Sequence, residues 1–312
     1  IRPLVKNQVP VIFDREHLAK LLGRTEHYLA AASFAPQYFY RNFTIPKRTG
    51  GRREIRAPYL SLLECQRWIN DNILSALSPH ACATGYVTGR SIRDHASPHV
   101  DAGFVLTIDL ENFFPTISFS RVISIFRGLG YSGQVSTSLA KLCCLDNVLP
   151  QGAPTSPSLS NIVCKRLDEK LERFAIESGL RYTRYVDDMC FSGGEIKKHT
   201  LDEIEKIVSS EGFRTNKSKT HLHAPRSNLK LVTGVNVALG KMSLPKSYKR
   251  AISTDLFHIE KYGLRSHLAK RKIRDPNYIE ALVGKVGYWL FIEPENKRAQ
   301  HYKQVLAQFV NI

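Results

Sequence analysis

The sequence predicts an α+β fold, because strand-like and helix-like segments alternate along the chain. The apolar run at residues 103–110 and the shorter stretches at 181–185 and 189–192 have the β-branched and aromatic content of strands. Helical periodicity with flanking Pro or Gly covers residues 118–127, 132–144 and 157–177. With 312 residues and 43% hydrophobic content, the chain can bury a core in one large domain or in two to three lobes.

Two elements are expected before this core. Asp14 can cap an amphipathic helix, which we predict over residues 14–32. Aromatic and β-branched residues at 38–45, a glycine-containing turn and the basic stretch 52–57 together predict a β-hairpin. The hairpin would present a cluster of cations at the surface.

The charge balance favours a polyanionic partner. Lys and Arg total 45 against 28 Asp and Glu, which gives a net charge of +17. Nucleic acid is the first candidate and an anionic membrane surface the second. Residues 247–312 concentrate Lys and Arg on a helical period, which predicts a separate basic lobe. The chain has neither a spanning apolar run nor a signal-peptide pattern or initiator Met, so we expect a cytoplasmic protein, slightly trimmed at its start.

The cysteines and histidines do not follow a familiar metal motif. The six Cys residues show no Cys-x-x-Cys spacing, and we expect neither a zinc site nor disulfides. His95 and His99 are four residues apart, but Pro98 interrupts the turn, so a structural or RNA-facing role is expected. The motifs of serine hydrolases and P-loop enzymes are both absent from the sequence.

Asp187 and Asp188 are adjacent in a turn between two strand-like stretches. An isolated Asp-Asp pair is most often a solvated turn, because Asp is a favoured turn residue. Here Asp109 lies at the end of another predicted strand. Three carboxylates brought together from adjacent strands could hold two divalent cations about 3.5 to 4 Å apart. Oxygen ligands around a phosphate substrate favour two Mg²⁺ ions, with Mn²⁺ as a substitute.

Three segments, in order, resemble the palm motifs of reverse transcriptases. The first consists of TID at residues 107–109 with FFP at 113–115. The second is LPQGAPTSP at 149–157, and the third is YVDD at 185–188. Coincidence of three such motifs in the family's order is very improbable, so the resemblance is specific. It extends over about residues 10 to 310.

The resemblance implies a right-hand polymerase that makes DNA from an RNA template and dNTPs. Its fingers would be residues 1–100, with an N-terminal helix and the basic hairpin. Its palm, an antiparallel sheet flanked by helices, would be residues 101–237 and would carry the carboxylates. Its basic, RNA-binding helical thumb would be residues 238–312.

The resemblance also assigns roles around the carboxylates. The implied catalytic residues are Asp109, Asp187, Asp188 and Lys219, and the implied metal ligands are the three Asp residues with Leu110. Lys219 would protonate the pyrophosphate leaving group as a general acid. Phe114 would act as a steric gate against a ribose 2'-hydroxyl, or, alternatively, would only pack in the core.

Four further residues are implied to bind the nucleotide. Gln151 and Gly152 would grip the incoming nucleotide and the template, with the glycine allowing close backbone approach; otherwise they form a rigid loop before a helix. Lys47 and Arg53 in the basic hairpin would contact the triphosphate, and Arg48 or Arg52 could replace Lys47. The alternative is a solvated basic turn.

Two motifs narrow the resemblance to bacterial retron reverse transcriptases. LVTG at residues 231–234 resembles their Val-Thr-Gly motif, and DHASPH at 94–99 resembles their Asn-Ala-x-x-His segment, with His95 in place of Asn. The residues predicted to bind RNA are His99, Val232, Thr233, Gly234, Lys246, Lys249 and Arg250.

Membership of the retron group would imply a cognate structured noncoding RNA of the msr-msd type. DNA synthesis would start at the 2'-hydroxyl of an internal guanosine and would yield branched msDNA, an RNA-DNA hybrid. A role in antiviral defence would follow, with an effector or toxin protein encoded nearby. The alternatives are a group II intron or diversity-generating reverse transcriptase, or a non-catalytic RNA-binding scaffold of the same fold.

Overall fold

The computed structural model describes residues 1–46, 50–197 and 199–309, so Lys47 and Arg48 lie outside the described residues. The helices are α1 (Arg2–Lys6), α2 (Arg15–Leu21), α3 (Glu26–Phe34), α4 (Leu60–Asn72), α5 (Ile92–Ala96), α6 (Phe113–Thr116), α7 (Phe119–Leu129), α8 (Gly133–Cys143), α9 (Ser156–Val163), α10 (Lys165–Glu177), α11 (Thr200–Ser210), α12 (Lys246–Tyr262), α13 (Leu264–Arg271), α14 (Tyr278–Ile292) and α15 (Lys297–Ala307). The strands are β1 (Tyr40–Pro46), β2 (Arg52–Pro58), β3 (Phe104–Asp109), β4 (Arg181–Tyr185), β5 (Asp188–Gly193), β6 (His221–His223), β7 (Leu231–Val232) and β8 (Val235–Asn236).

The strands form three sheets. β1 pairs with β2, β7 pairs with β8, and the remaining four strands form one sheet in the order β4-β5-β3-β6. The chain divides into two compact units. The first unit comprises Ile1–Ser91, Thr107–Phe191 and Ile196–His221, and the second comprises Ile92–Leu106, Ser192–Glu195 and Leu222–Ile312.

Two of the expected helices are each divided in two. The helix predicted over residues 14–32 is α2 followed by α3, because Gly23 adopts a left-handed conformation with φ +62° and Thr25 caps the next helix through a hydrogen bond from the Tyr28 backbone N–H. The segment 157–177 likewise contains α9 and α10, which meet at Cys164. Apolar residues keep their helical spacing across both breaks, so this spacing alone does not predict where one helix ends and the next begins.

The basic hairpin is an antiparallel β1-β2 pair. Its register pairs Tyr40 with Pro58 at one end and Pro46 with Arg52 at the other. The Arg56 backbone N–H donates to the Gln151 carbonyl at 2.9 Å, and the Arg56 guanidinium forms an ion pair with Asp146. These contacts attach the hairpin to the loop that precedes α9.

A buried ion pair joins β4 to α10 inside the first unit. Arg184 is 0% exposed, and it donates from Nε and Nη2 to the two oxygens of Asp168 at 2.7 and 2.6 Å. The Tyr182 hydroxyl adds a third hydrogen bond to Asp168 at 2.8 Å. Burial opposes the charged form of Arg184, but the carboxylate of Asp168 outweighs it and raises the pKa of the guanidinium. Both charges are therefore retained in the interior.

The second unit is built mainly from α12 to α15. Its interior includes Leu256 and Ile259 of α12 and Trp289 of α14, and Tyr302 of α15 packs against Trp289. Lys230 is also buried, and its Nζ donates to the carbonyls of Ala102 and Gly103, each at 2.7 Å. No helix in the described part of the chain is long and apolar enough to cross a membrane.

We expect Asp168→Asn to lower the free energy of unfolding by about 3–5 kcal/mol, because Arg184 would remain buried without its counter-charge. Urea denaturation followed by circular dichroism measures the change. The matched control is Glu169→Gln, since Glu169 is exposed on the same helix and its replacement should change stability by less than about 0.5 kcal/mol. Equal, small effects of both substitutions would contradict this account of the ion pair.

Candidate active site

The acidic turn connects β4 to β5. Val186 has φ +61°, a left-handed conformation that a β-branched residue rarely adopts, and Asp188 is the first residue of β5. Two neighbours support the turn. Arg184 Nη1 donates to the Val186 carbonyl at 2.9 Å. Gly85 lies so close to the turn that a Cβ added to it would be only 2.7 Å from the Val186 nitrogen. The backbone of residue 85 therefore packs directly against the turn.

Asp109 reaches the same place from β3, the neighbour of β5 in the sheet. The Leu110 backbone N–H donates to the Asp187 carbonyl at 2.9 Å, so the residues that follow β3 are joined to the acidic turn. On the other side, the Asn216 N–H donates to the Asp109 carbonyl at 2.7 Å. The sheet thus delivers Asp109, Asp187 and Asp188 to neighbouring strand ends.

The ammonium group of Lys219 forms an ion pair with the carboxylate of Asp109. Its Nζ donates to the two oxygens at 3.0 and 2.9 Å, and Asp109 is only 7% exposed. Burial acts to lower the pKa of Lys219, but the hydrogen bond and the charge of Asp109 outweigh it and raise that pKa. Burial, followed by the charge of Asp109, raises the pKa of Asp187. Burial and the charge of Asp109 thus both oppose ionisation of Asp187.

This donor set fits a divalent cation. Carboxylate oxygens are the ligands that hard cations such as Mg²⁺ prefer, and the charge of Asp109 beside Asp187 opposes ionisation of Asp187 while no cation is bound. Leu110 has a buried apolar side chain, so it could contribute only its carbonyl oxygen. In the described part of the chain, the carboxylate oxygens of Asp109, Asp187 and Asp188 are not all within 4.8 Å of one another.

A cavity of about 330 Å³ contains four of the predicted nucleotide-binding residues. It is lined by Arg53, Ile55, Tyr86, Phe114, Gln151, Gly152, Ala153, Ser156 and Pro157. Phe114 is 9% exposed, whereas its neighbour Phe113 stacks on Phe213 with ring centroids 5.9 Å apart. Gly152 has φ +126°, and a Cβ there would lie 2.9 Å from the Arg56 carbonyl oxygen. The glycine therefore permits a close approach of the loop to β2.

The cations of the hairpin differ in their surroundings. Arg52 donates from Nε to the Thr44 hydroxyl at 2.7 Å, whereas Arg53 lines the cavity and its charge acts to lower the pKa of Asp187. The structure therefore brings Arg53 to the carboxylates, and Lys47 lies outside the described residues. Sequence analysis missed Tyr86, which also lines the cavity. In the sequence, Tyr86 is marked out only as an aromatic residue next to Gly85.

Three predicted RNA-binding cations lie on α12. Lys246, Lys249 and Arg250 line a cavity of about 620 Å³ in the second unit, together with Arg298 and Trp289. Lys249 is partly neutralised, because its Nζ donates to Glu293 at 3.0 Å. Lys246 and Arg250 are exposed. The cavity therefore presents cations to solvent, as an RNA-binding surface requires.

Two predicted RNA contacts lie in the interior instead. His99 is 0% exposed and its Nδ1 is 2.7 Å from the Ser192 hydroxyl, and Val232 is also 0% exposed. Neither side chain has exposed surface in this structure, and RNA binding by these two residues stays a prediction. Thr233 and Gly234 form the turn between β7 and β8, with φ +44° and +84°.

Comparison with known proteins identifies the family. The profile of the family "Reverse transcriptase (RNA-dependent DNA polymerase)" matches residues 45–253. The chain is 35% identical to the retron Ec86 reverse transcriptase of Escherichia coli over 80% of this chain and 79% of that protein. It is 30% identical to the retron Mx162 reverse transcriptase of Myxococcus xanthus over 94% of this chain and 67% of that protein. The chain belongs to the retron reverse transcriptases.

The retron reverse transcriptase is thus an RNA-directed DNA polymerase with an α+β fold, and both predictions are confirmed. Its family uses divalent metal ions and acts on RNA templates. Among solved structures, telomerase from Candida albicans in complex with a fragment of telomeric RNA aligns with a TM-score of 0.47 at 11% identity, over 86% of this chain and 63% of that one.

We expect Gly152→Ala to raise the KM for dNTPs by about tenfold to a hundredfold, because the added methyl group would displace the loop from β2. Steady-state primer extension measures the change. The control is Gly128→Ala, since a Cβ at Gly128 meets nothing within 4 Å and Gly128 lies within α7. That substitution should leave KM unchanged and stabilise the helix by up to about 1 kcal/mol. An unchanged KM in Gly152→Ala would contradict the packing argument.

Proposed function

We propose that this reverse transcriptase copies a cognate structured noncoding RNA into DNA, starting at the 2'-hydroxyl of an internal guanosine. The product would be branched msDNA, in which RNA and DNA are covalently joined. The observation that carries the proposal is the position of Asp109, Asp187 and Asp188 at adjacent strand ends, in a chain whose relatives are retron enzymes. Family membership supports the 2'-hydroxyl start.

Asp109, Asp187 and Asp188, with the carbonyl of Leu110, would hold two Mg²⁺ ions, and Mn²⁺ could substitute. When bound, the ions would lower the pKa of the attacking hydroxyl and neutralise the triphosphate. The proximity of the charges of Asp109 and Asp187, which acts after burial to raise the pKa of Asp187, supports this assignment. Lys219 would carry a proton at Nζ and give it to the pyrophosphate leaving group as a general acid, and its raised pKa keeps that proton in place beforehand.

The small cavity of the first unit would bind the incoming dNTP. Arg53 would neutralise the β and γ phosphates, and Lys47 remains a predicted second contact. Gln151 and Gly152 would set the position of the nucleotide against the template. Phe114 would exclude a ribose 2'-hydroxyl, and its place in the lining of the cavity supports this role beside its packing in the core.

We further propose the division into fingers (1–100), palm (101–237) and thumb (238–312). The thumb would bind the msr-msd RNA through Lys246, Lys249 and Arg250, with Thr233 and Gly234 as contacts from the adjoining turn. The exposed cations of the large cavity support this part of the proposal. The RNA-DNA product would serve antiviral defence with an effector or toxin protein encoded nearby.

The double substitution Asp187→Asn/Asp188→Asn should abolish DNA synthesis, with a loss of more than about a hundredfold, because two neutral amides hold divalent cations poorly. The enzyme is expressed with the RNA encoded beside its gene, and the co-purified nucleic acid is sequenced before and after treatment with RNase and debranching enzyme. Wild-type enzyme should yield one discrete DNA joined to RNA by a 2'-5' bond. The double variant should yield the RNA alone.

Asp202→Asn is the matched control, since Asp202 is an exposed carboxylate on α11 and its loss should leave the product unchanged. Undiminished DNA synthesis in the double variant would overturn the catalytic assignment. Linear DNA made on random cellular RNA by the wild type would overturn the retron-type start while leaving polymerase activity intact.

The double substitution Lys246→Gln/Arg250→Gln should weaken binding of the co-purified RNA. If each cation contacts a phosphate, the slope of log affinity against log salt should fall by about one per cation. Filter binding over a series of salt concentrations measures both quantities. Lys303→Gln is the control, because Lys303 is exposed on α15 and does not line the cavity. An unchanged salt slope in the double variant would contradict phosphate contact at this cavity.

A further inference from the structure

Three side chains with metal-binding atoms converge away from the catalytic carboxylates. One ligand atom from each of His80, Cys82 and Glu172 lies within 4.8 Å of the other two. Cys82 Sγ is 2.9 Å from one oxygen of Glu172, and His80 Nε2 is 3.6 Å from the other. A thiol, an imidazole and a carboxylate therefore surround one point within the first unit.

No local spacing of residues indicates this cluster. Glu172 is 90 residues from Cys82, and His80 and Cys82 are separated by a single residue, which is shorter than the usual spacing of zinc ligands. The expectation that the chain lacks a zinc site rested on the absence of Cys-x-x-Cys pairs. Tertiary structure, rather than local spacing, assembles these three ligands.

We propose that His80, Cys82 and Glu172 form a binding site for Zn²⁺, separate from the catalytic Mg²⁺ site. Zinc takes mixed sulfur, nitrogen and oxygen ligands, whereas Mg²⁺ and Ca²⁺ prefer oxygen alone. A water molecule would complete a tetrahedral shell. The proposal is independent of the retron-type reaction.

The distances suit a tetrahedral ion. Zinc bonds of about 2.0 Å to oxygen and nitrogen and about 2.3 Å to sulfur place neighbouring ligands about 3.3–3.6 Å apart. The Cys82 sulfur lies 2.9 Å from one oxygen of Glu172 and the His80 nitrogen lies 3.6 Å from the other, so shifts of about half an ångström and a turn of the carboxylate bring the three ligands to these separations. His80 and Glu172 are partly exposed, which gives an ion a path from solvent.

Binding exchanges protons for the ion. The Cys82 thiol donates a hydrogen bond to Glu172. On binding, Cys82 would release its proton to solvent and bind as a thiolate, and His80 would bind as a neutral base. The dication replaces the hydrogen bond that now joins Cys82 and Glu172.

Zinc bound at this site would stabilise the residues that support the acidic turn. The Arg184 N–H donates to the Cys82 carbonyl at 2.9 Å, and the Thr84 N–H donates to the Arg184 carbonyl at 2.8 Å. Glu172 lies on α10, one turn beyond Asp168. Zinc would therefore fasten residues 80–84 to the helix that already holds Arg184, and it would stabilise the segment that packs against Val186.

Titration of the full-length, metal-free enzyme with Co²⁺ tests the proposal, because cobalt bound to a thiolate gives a near-ultraviolet charge-transfer band. We expect a band that saturates at one equivalent and is displaced by Zn²⁺. Cys82→Ser should abolish it, and Glu172→Gln should weaken affinity by about tenfold or more. Zn²⁺ should raise the Tm of the wild type and not that of Cys82→Ser.

Two controls separate this site from others. Cys65→Ser removes another buried thiol, on α4, and should retain the band. Asp187→Asn/Asp188→Asn should also retain it, which distinguishes a failed zinc site from a failed catalytic assignment. Circular dichroism of each metal-free variant establishes that it is folded. Absence of the band in the wild type, or an unchanged band in folded Cys82→Ser, would overturn the proposal.

Discussion

The pairing of Arg184 with Asp168 positions the acidic turn. Asp168 anchors the guanidinium to α10, and the same guanidinium continues to the Val186 carbonyl, so one side chain connects helix, strand and turn. Asn161 adds a contact at 3.2 Å from its side-chain oxygen to Arg184 Nη1. Because a buried charge without its partner is costly, these elements have one favourable arrangement relative to each other. The location of Asp187 follows from that arrangement.

Positive side chains lie around the carboxylates of the candidate active site. The fold concentrates acids in a chain of net charge +17, and it sets Lys219 and Arg53 where their charges partly offset them. A site preorganised in this way favours cations and charged phosphates together, because each reduces the repulsion that the other experiences. Substrate and metal binding should therefore be mutually reinforcing.

Local patterns predicted much of the fold and the candidate site, because strand ends and turns are encoded in neighbouring residues. Asp109 at the end of a strand and the acidic turn of 185–188 could both be located from the letters alone. The interior position of His99 could not, since burial depends on partners far away in sequence. The same holds for the contact of Lys219 with Asp109, which joins residues 110 positions apart. A helix break such as the one at Gly23 does not interrupt the helical spacing of apolar residues, so that spacing does not predict the break.

The left-handed conformation of Val186 has a consequence for how the enzyme matures. A β-branched residue with φ +61° is unfavourable in an isolated peptide, so local preference does not form this turn early in folding. Gly85 and Arg184 must be in place before the conformation is stabilised. A nascent chain would therefore lack a formed acid pair until Gly85 and Arg184, which both precede Val186 in the chain, have packed against the turn.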